Sequence, residues 1–214
     1  MANIVFDFDG TLADVKALLM EIGNSIALKK GWQPVDEASF DQLSRGSIRE
    51  GLKQLGIPLR DVPYLLLIGK RLLGERVEEI NLFVGIDELF IDLREAGHEL
   101  FVLSTNSRKL IQIVLERHGQ ADKIIVLPSS GLFGKASAIK RFMRSHKVSK
   151  KDVWYVGDEL RDIEAAKKAG VHSIAVMWGL QHPDALRAAK PDFVIDKPSD
   201  MIDCIPNLSQ GVLQ

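Results

Sequence analysis

A doubly wound α/β protein with a mostly parallel sheet is predicted by three features of this 214-residue chain. Short β-rich apolar runs alternate with stretches of helical periodicity. Several of those runs are apolar at successive positions, as strands covered on both faces are. One long segment, residues 15–80, breaks the alternation with helical periodicity and no convincing strand, which marks a small second domain inserted after the first strand.

Taken in order, NIVF at 3–6 is the first strand. VKALLMEIGNSIALKKG then spaces its apolar residues as a helix does and stops at Gly31. SFDQLSRG, SIREGLKQLG and VPYLLLIGKRLLGERVEEI read as three further helices, punctuated by Gly46, Gly56 and Pro58. A helix over 86–96, closed by Gly97, leads into the strand ELFVLS. A helix over 110–118 leads to KIIVL, and a helix over 136–146 to VWYVG. A helix over 163–169, ending at Gly170, precedes the last strands, HSIAVM and DFVI. The expected division is therefore a core of residues 1–14 and 82–214 with an all-helical domain of residues 15–81 set into it.

Composition narrows the function. With 46% hydrophobic and 27% charged residues and a net charge of -1, the chain is ordinarily globular and presents no general field for nucleic acid or anionic membrane. Its one cysteine, Cys204, forbids an internal disulfide, suits a reducing compartment, and reads as a small apolar filler. No basic segment flanks the N-terminal apolar run, which ends at Asp7, so no secretory signal is expected. YLLLIGKRLLG is broken by Lys70 and Arg71 and is too short to span a bilayer. A cytoplasmic location is the expectation. The basic cluster HKVSKK reads as a solvated helix end, and Trp32, Trp154 and Trp178 as packing residues. The five histidines show no metal spacing.

The chemistry lies at the strand ends. In MANIVFDFDGTLAD, Asp7 and Asp9 follow an apolar strand and lead into Gly10. Side chains two apart on an extended chain point the same way, so both carboxylates can project while Phe8 turns into the core. A turn or capping aspartate accounts for one of them and leaves the other unexplained. VWYVGDELRDIEAAKKAG ends another strand with Asp158 and Asp162, four apart with Glu159 between. Brought to one sheet edge, these carboxylates repel, and some hold protons near neutral pH, unless a cation balances them. Oxygen ligands without histidine or cysteine point to a hard ion, and Mg²⁺ keeps waters that an acid such as Asp162 can hold. ELFVLSTNS delivers Ser104, Thr105 and Asn106 at a strand tip, where hydroxyls and N–H groups suit phosphate oxygens. SSGLFGKASAI brings Lys135 to a helix start, where a cation opposes the macrodipole and is better explained as a countercharge.

Together these segments resemble the haloacid dehalogenase-like (HAD) hydrolases, and within them the phosphoglycolate phosphatase-like branch. DFDGTLAD is similar to that superfamily's first motif, LSTNS to the second with Thr105 as its hydroxyl, Lys135 to the third, and GDELRD to the fourth with Asp158 and Asp162. VGDELRDIEAAKKAGV followed by WG and PDFVID is similar to the phosphoglycolate phosphatase-like branch. Many relatives have Lys-Pro at the third motif, whereas Ala136 follows Lys135 here.

The resemblance implies a Rossmann-like core with a mobile helical cap. It implies a phosphomonoester hydrolase in which Asp7 is the nucleophile and Asp9 the general acid, then the general base. Mg²⁺ would be held by the Asp7 carboxylate, the Asp9 main-chain carbonyl and Asp158, with Asp162 orienting metal-bound water. Thr105, the Asn106 backbone and Lys135 would hold the phosphoryl oxygens of a small phosphorylated metabolite. Arg45 and Arg49 are candidates for an anionic substrate group, although an ordinary exposed helix charge is the simpler account of each. A phosphosugar mutase of the same superfamily would share Asp7, Asp9 and the metal site. A phospho-acceptor receiver module would carry acids, a hydroxyl and a lysine around Mg²⁺ but lack the long helical insert. Oligomeric state is not legible in the sequence.

Overall fold

In the computed structural model, which describes residues 1–128 and 134–205, the chain begins with β1 (Asn3–Phe6) and the two-residue β2 (Ala13–Asp14). Four helices follow: α1 (Lys16–Lys30), α2 (Glu37–Leu43), α3 (Ile48–Gln54) and α4 (Val62–Glu75). The chain returns through β3 (Asn81–Leu82). Alternation then resumes with α5 (Ile86–Glu95), β4 (Glu99–Val102), α6 (Arg108–Arg117), β5 (Ile125–Val126), α7 (Lys135–His146) and β6 (Val153–Gly157). It ends with α8 (Leu160–Ala169), β7 (His172–Val176), α9 (Pro183–Ala188), β8 (Phe193–Ile195) and α10 (Met201–Cys204). No described helix is long and apolar enough to cross a membrane.

The main sheet has the order β5-β4-β1-β6-β7-β8, with every pair parallel. β1 lies inside it, pairing Phe6 with Val102 on one side and Val156 on the other. Its unbroken apolar run follows from helices on both faces. Ile4 and Phe6 pack with Leu89, Phe90 and Leu93 of α5 and Val114 of α6. Val5, pointing the other way, packs with Ile139 and Phe142 of α7 and Ala166 of α8. Gly31 and Gly170, read as helix stops, close α1 and α8 in the left-handed conformation, with φ of 69° and 76°.

The segment between the small strands is helical as predicted. Asp36 caps α2 by accepting from the Ser39 N–H at 2.8 Å, and Ser47 and Glu50 form a capping box on α3. Leu18, Ile22 and Ile26 of α1 and Leu73 of α4 join the core, whereas α2 and α3 bury no residue. β2 and β3 pair antiparallel, Ala13 with Leu82 and Asp14 with Asn81, so the chain leaves and re-enters the core side by side. That ribbon, α9 and α10 were not expected, because elements of two to six residues carry too little periodicity to read.

Candidate active site

The strand termini of β1, β4 and β6 form one rim. Asp7 continues β1 by one step, its N–H donating to the Val156 carbonyl at 2.8 Å. Its side chain is buried, one oxygen accepting from the Phe8 N–H at 2.8 Å. Phe8 is buried in the core, as the extended-chain argument requires. Gly10 follows with φ 77°, and a Cβ there would lie 2.2 Å from the Asp158 carboxylate. A Cβ at Gly179 would meet the Asp158 Cβ at 2.2 Å. Both backbones press against Asp158, so only glycine fits at either position.

Asp158 is fully buried just beyond β6. One of its oxygens accepts from the Thr11 hydroxyl at 2.7 Å and the other from the Leu180 N–H at 2.8 Å. Asp162, in the first turn of α8, accepts from the Glu159 N–H at 3.1 Å. Asp7, Asp158 and Asp162 each present a carboxylate oxygen within 4.8 Å of the others. Lys135 opens α7 and is 3% exposed. Its ammonium bonds Asp7 Oδ2 at 2.5 Å and also Asp162 Oδ1. It is thus the countercharge expected from the sequence; residues 129–133 of the SSGLFG stretch before it lie outside the described residues.

Asp9 stands beside this trio and faces the β4 tip. Both its oxygens accept from the Asn106 side-chain amide, at 3.0 and 3.1 Å. Asn106 is itself oriented by its N–H to Ser104 Oγ at 3.0 Å, with half-buried Thr105 between them. The sequence anticipated the Asn106 backbone as a binding group but not this side-chain contact.

Electrostatics follow from burial. Asp9 is pushed up to about 7, chiefly by desolvation and then by the charge of Asp7, with Asn106 opposing. Asp158 is pushed well above the carboxylate range by burial and by Glu159, Asp162 and Asp7. Asp162 rises to about 6, burial outweighing the attraction of Lys135. Burial disfavours the Lys135 charge, but Asp162 and Asp7 overcome it and hold its pKa well above the ordinary value. Three converging carboxylates, two of them with raised affinity for protons, form an oxygen-only donor set of the kind a hard divalent cation takes. The residues therefore fit Mg²⁺.

The helical insert reaches this rim through the loop after β7. The Gln181 side-chain amide donates to the Ser44 carbonyl and, at 2.7 Å, to that of Gly46; the His182 N–H donates to Ser44 at 3.0 Å. Arg45 pairs with Asp41 at 3.1 Å and with Asp184 of α9 at 3.6 Å, while Arg49 is exposed on α3. Above the rim, inside the insert, lies a cavity of about 360 Å³ with apolar walls from all four helices, closed on the core side by Glu159, Leu180 and Gln181.

A model of the haloacid dehalogenase-like hydrolase family matches residues 4–176. The chain is 34% identical to a phosphoglycolate phosphatase of Synechococcus elongatus, covering 97% of this chain and 99% of that one. It is 26% identical to an N-acetylmuramic acid 6-phosphate phosphatase of Pseudomonas aeruginosa, covering 94% and 93%. Its fold superimposes on a haloacid dehalogenase-like hydrolase from Streptococcus pneumoniae with a TM-score of 0.78 at 19% identity, over 95% of this chain and 98% of that one.

Proposed function

The chain belongs to the haloacid dehalogenase-like hydrolases, and from that premise we propose that it is a Mg²⁺-dependent phosphomonoester hydrolase. Its substrate in this reading is a small phosphorylated metabolite of the phosphoglycolate kind, and an aspartyl-phosphate forms on Asp7. The observation that carries the proposal is the Asp7 carboxylate at the rim, bonded to Lys135 and within 4.8 Å of Asp158 and Asp162.

An Asp7 oxygen attacks phosphorus in line, and the bond from phosphorus to the leaving oxygen breaks. Asp9 gives its proton to the departing alkoxide. Its carboxylate then takes a proton from water as that water attacks phosphorus, the Asp7–phosphorus bond breaks and phosphate leaves. A carboxyl raised to about 7 can serve both steps near neutrality, which supports Asp9 in the acid/base role. Asn106 keeps that group turned toward the β4 tip. Lys135, Thr105 and the Asn106 N–H hold the phosphoryl oxygens. Asp7, Asp158 and the Asp9 carbonyl would hold Mg²⁺, with Asp162 orienting its water, and the bound ion would neutralise charge on carboxylates and phosphoryl oxygens alike.

Residues 15–81 act in this reading as a cap that admits substrate and excludes water, hinged where β2 pairs with β3. A reducing cytoplasm suits the single cysteine. The test is phosphate release from a panel of phosphomonoesters, with and without Mg²⁺ and after EDTA. Release that stops with EDTA, returns with Mg²⁺ and is absent in Asp7→Asn supports the assignment. Wild-type rates in Asp7→Asn, or a stoichiometric phosphoprotein without turnover, would overturn it.

A further inference from the structure

The Asn106 side chain reaches Asp9 across 97 positions of sequence and touches both its oxygens, at 3.0 and 3.1 Å. Both contacts come from one nitrogen, Nδ2. The other neighbour of the amide fixes which end faces Asp9, because the Ser107 N–H donates to Asn106 Oδ1 at 3.1 Å. That N–H can only donate, so it takes the amide oxygen and leaves the amino group for Asp9. Ser107 in turn caps α6, its hydroxyl accepting from the Leu110 N–H at 3.2 Å. Asn106 is buried, and its own N–H donates to Ser104 Oγ at 3.0 Å. The amide is thus braced against a helix start on one side and a strand tip on the other.

Helix α6 does not need this arm, because Ser107 already caps it. Among the described residues, no other side chain bonds the Asp9 carboxyl. An amino group that donates cannot take up the Asp9 proton, so that proton stays available to a leaving oxygen. A carboxyl bonded through both oxygens to a braced donor also has less freedom to turn away from that oxygen. Leaving groups differ in their need of the proton. A departing alkoxide is strongly basic and needs it as the bond to phosphorus stretches, whereas p-nitrophenolate is weakly basic and leaves readily without it.

We propose that the Asn106 side chain is the positioning residue that lets this enzyme cleave alkyl phosphates: it clamps the Asp9 carboxyl where it gives its proton to a poor leaving group, and so sets which esters are turned over. The proposal rests on the phosphomonoester hydrolase reading above. Asn106 makes and breaks no covalent bond. The proton passes from Asp9 to the alkoxide as the phosphorus–oxygen bond breaks, and the amide goes on donating to the carboxylate that remains.

The test uses full-length Asn106→Ala and Asn106→Leu, the second close to asparagine in shape. The substrates are p-nitrophenyl phosphate and the alkyl phosphate that wild type cleaves fastest. kcat/KM reports the steps up to departure of the leaving group, where the proton is given. For the alkyl ester it should fall on the order of 10²-fold, and for p-nitrophenyl phosphate far less. Adding Asn106→Ala to Asp9→Asn should cost little further, because both changes remove one function. Equal losses on the two esters, or the full loss persisting in the Asp9→Asn background, would place Asn106 in phosphoryl binding or in folding and overturn the proposal. Wild-type kcat/KM in both variants would overturn it too, as would a wild type confined to aryl esters. Should Asn106→Ala not fold, Asn106→Leu decides by the same comparison. A wild-type enzyme that releases phosphate from neither ester defeats the hydrolase reading and this proposal with it. Variants that lose both esters alike beside an active wild type defeat the Asn106 proposal alone.

Discussion

β1 buries all four of its residues between helices on two faces, and the carboxylates just past its end, Asp7 and Asp9, accept from Lys135 of α7 and from the Asn106 side chain beyond β4. Across the β2–β3 ribbon, α2 and α3 bury nothing and face a cavity of about 360 Å³. The two regions are thus packed differently. Close-packed interiors hold groups in one arrangement, as charge stabilisation requires. Loosely packed helices joined to the core by a few polar contacts can open at low cost, as substrate entry requires.

The sharpest test of that contrast is catalytic. Asp7→Asn should abolish phosphoenzyme and turnover, and Asp9→Asn should cost about 10²–10⁴-fold in kcat. Arg45→Ala and Arg49→Ala in the insert should act mainly on KM, so a loss in kcat matching that of Asp9→Asn would break the comparison.

Stability gives the next largest difference. Phe6→Ala, at a fully buried position, should cost about 3–5 kcal/mol in denaturant unfolding. Leu52→Ala, at a half-buried position of α3, should cost under about 1.5 kcal/mol, because that side chain borders the cavity and leaves less new void. Equal values would mean that the insert is packed as tightly as the sheet.

Acidity separates the regions as well. Asp9 and Asp162 hold their protons more tightly when folded, at about 7 and about 6 against 3.8. Their contribution to stability is complete below 3.8 and is lost as pH rises through those folded values. Metal-free protein should therefore melt higher at pH 5 than at pH 8, and added Mg²⁺ should raise the melting temperature more at pH 8. Asp36 and Glu50, the insert's helix caps, are shifted downward by their Ser39 and Ser47 hydrogen bonds and act in the opposite sense. A Mg²⁺ effect independent of pH would remove the core carboxylates as its cause.

The smallest effect tests the join between the regions. Gln181→Ala removes the side-chain donor to Ser44 and Gly46, worth about 1 kcal/mol per bond. Amide exchange in residues 44–47 should quicken several-fold, with the sheet unchanged. Faster exchange in β1 instead would show that the insert and core open as one unit.

Local pattern made most of the sheet legible. The runs at 3–6 and 153–157 became strands β1 and β6 because each is continuous, apolar and ended by a charge or turn residue. ELFVLS pairs only as far as Val102, and KIIVL only at Ile125–Val126, because pairing depends on a partner that the sequence does not display. The acids, Thr105, Asn106 and Lys135 were legible as candidates because each stands just past a strand or at a helix start.

What the amino-acid order determined by itself was therefore a list: which segments are strands, which residues stand at their ends, and that helices interrupt the chain after the first strand. Tertiary structure alone decided the pairings. It turned Asp9 to the Asn106 amide, set Lys135 between Asp7 and Asp162, and brought Leu180 and Gly179 against Asp158. The reason is physical. Periodicity and turn chemistry act over a few residues, whereas the fields and contacts that orient a buried charge come from chain segments as much as 147 positions apart.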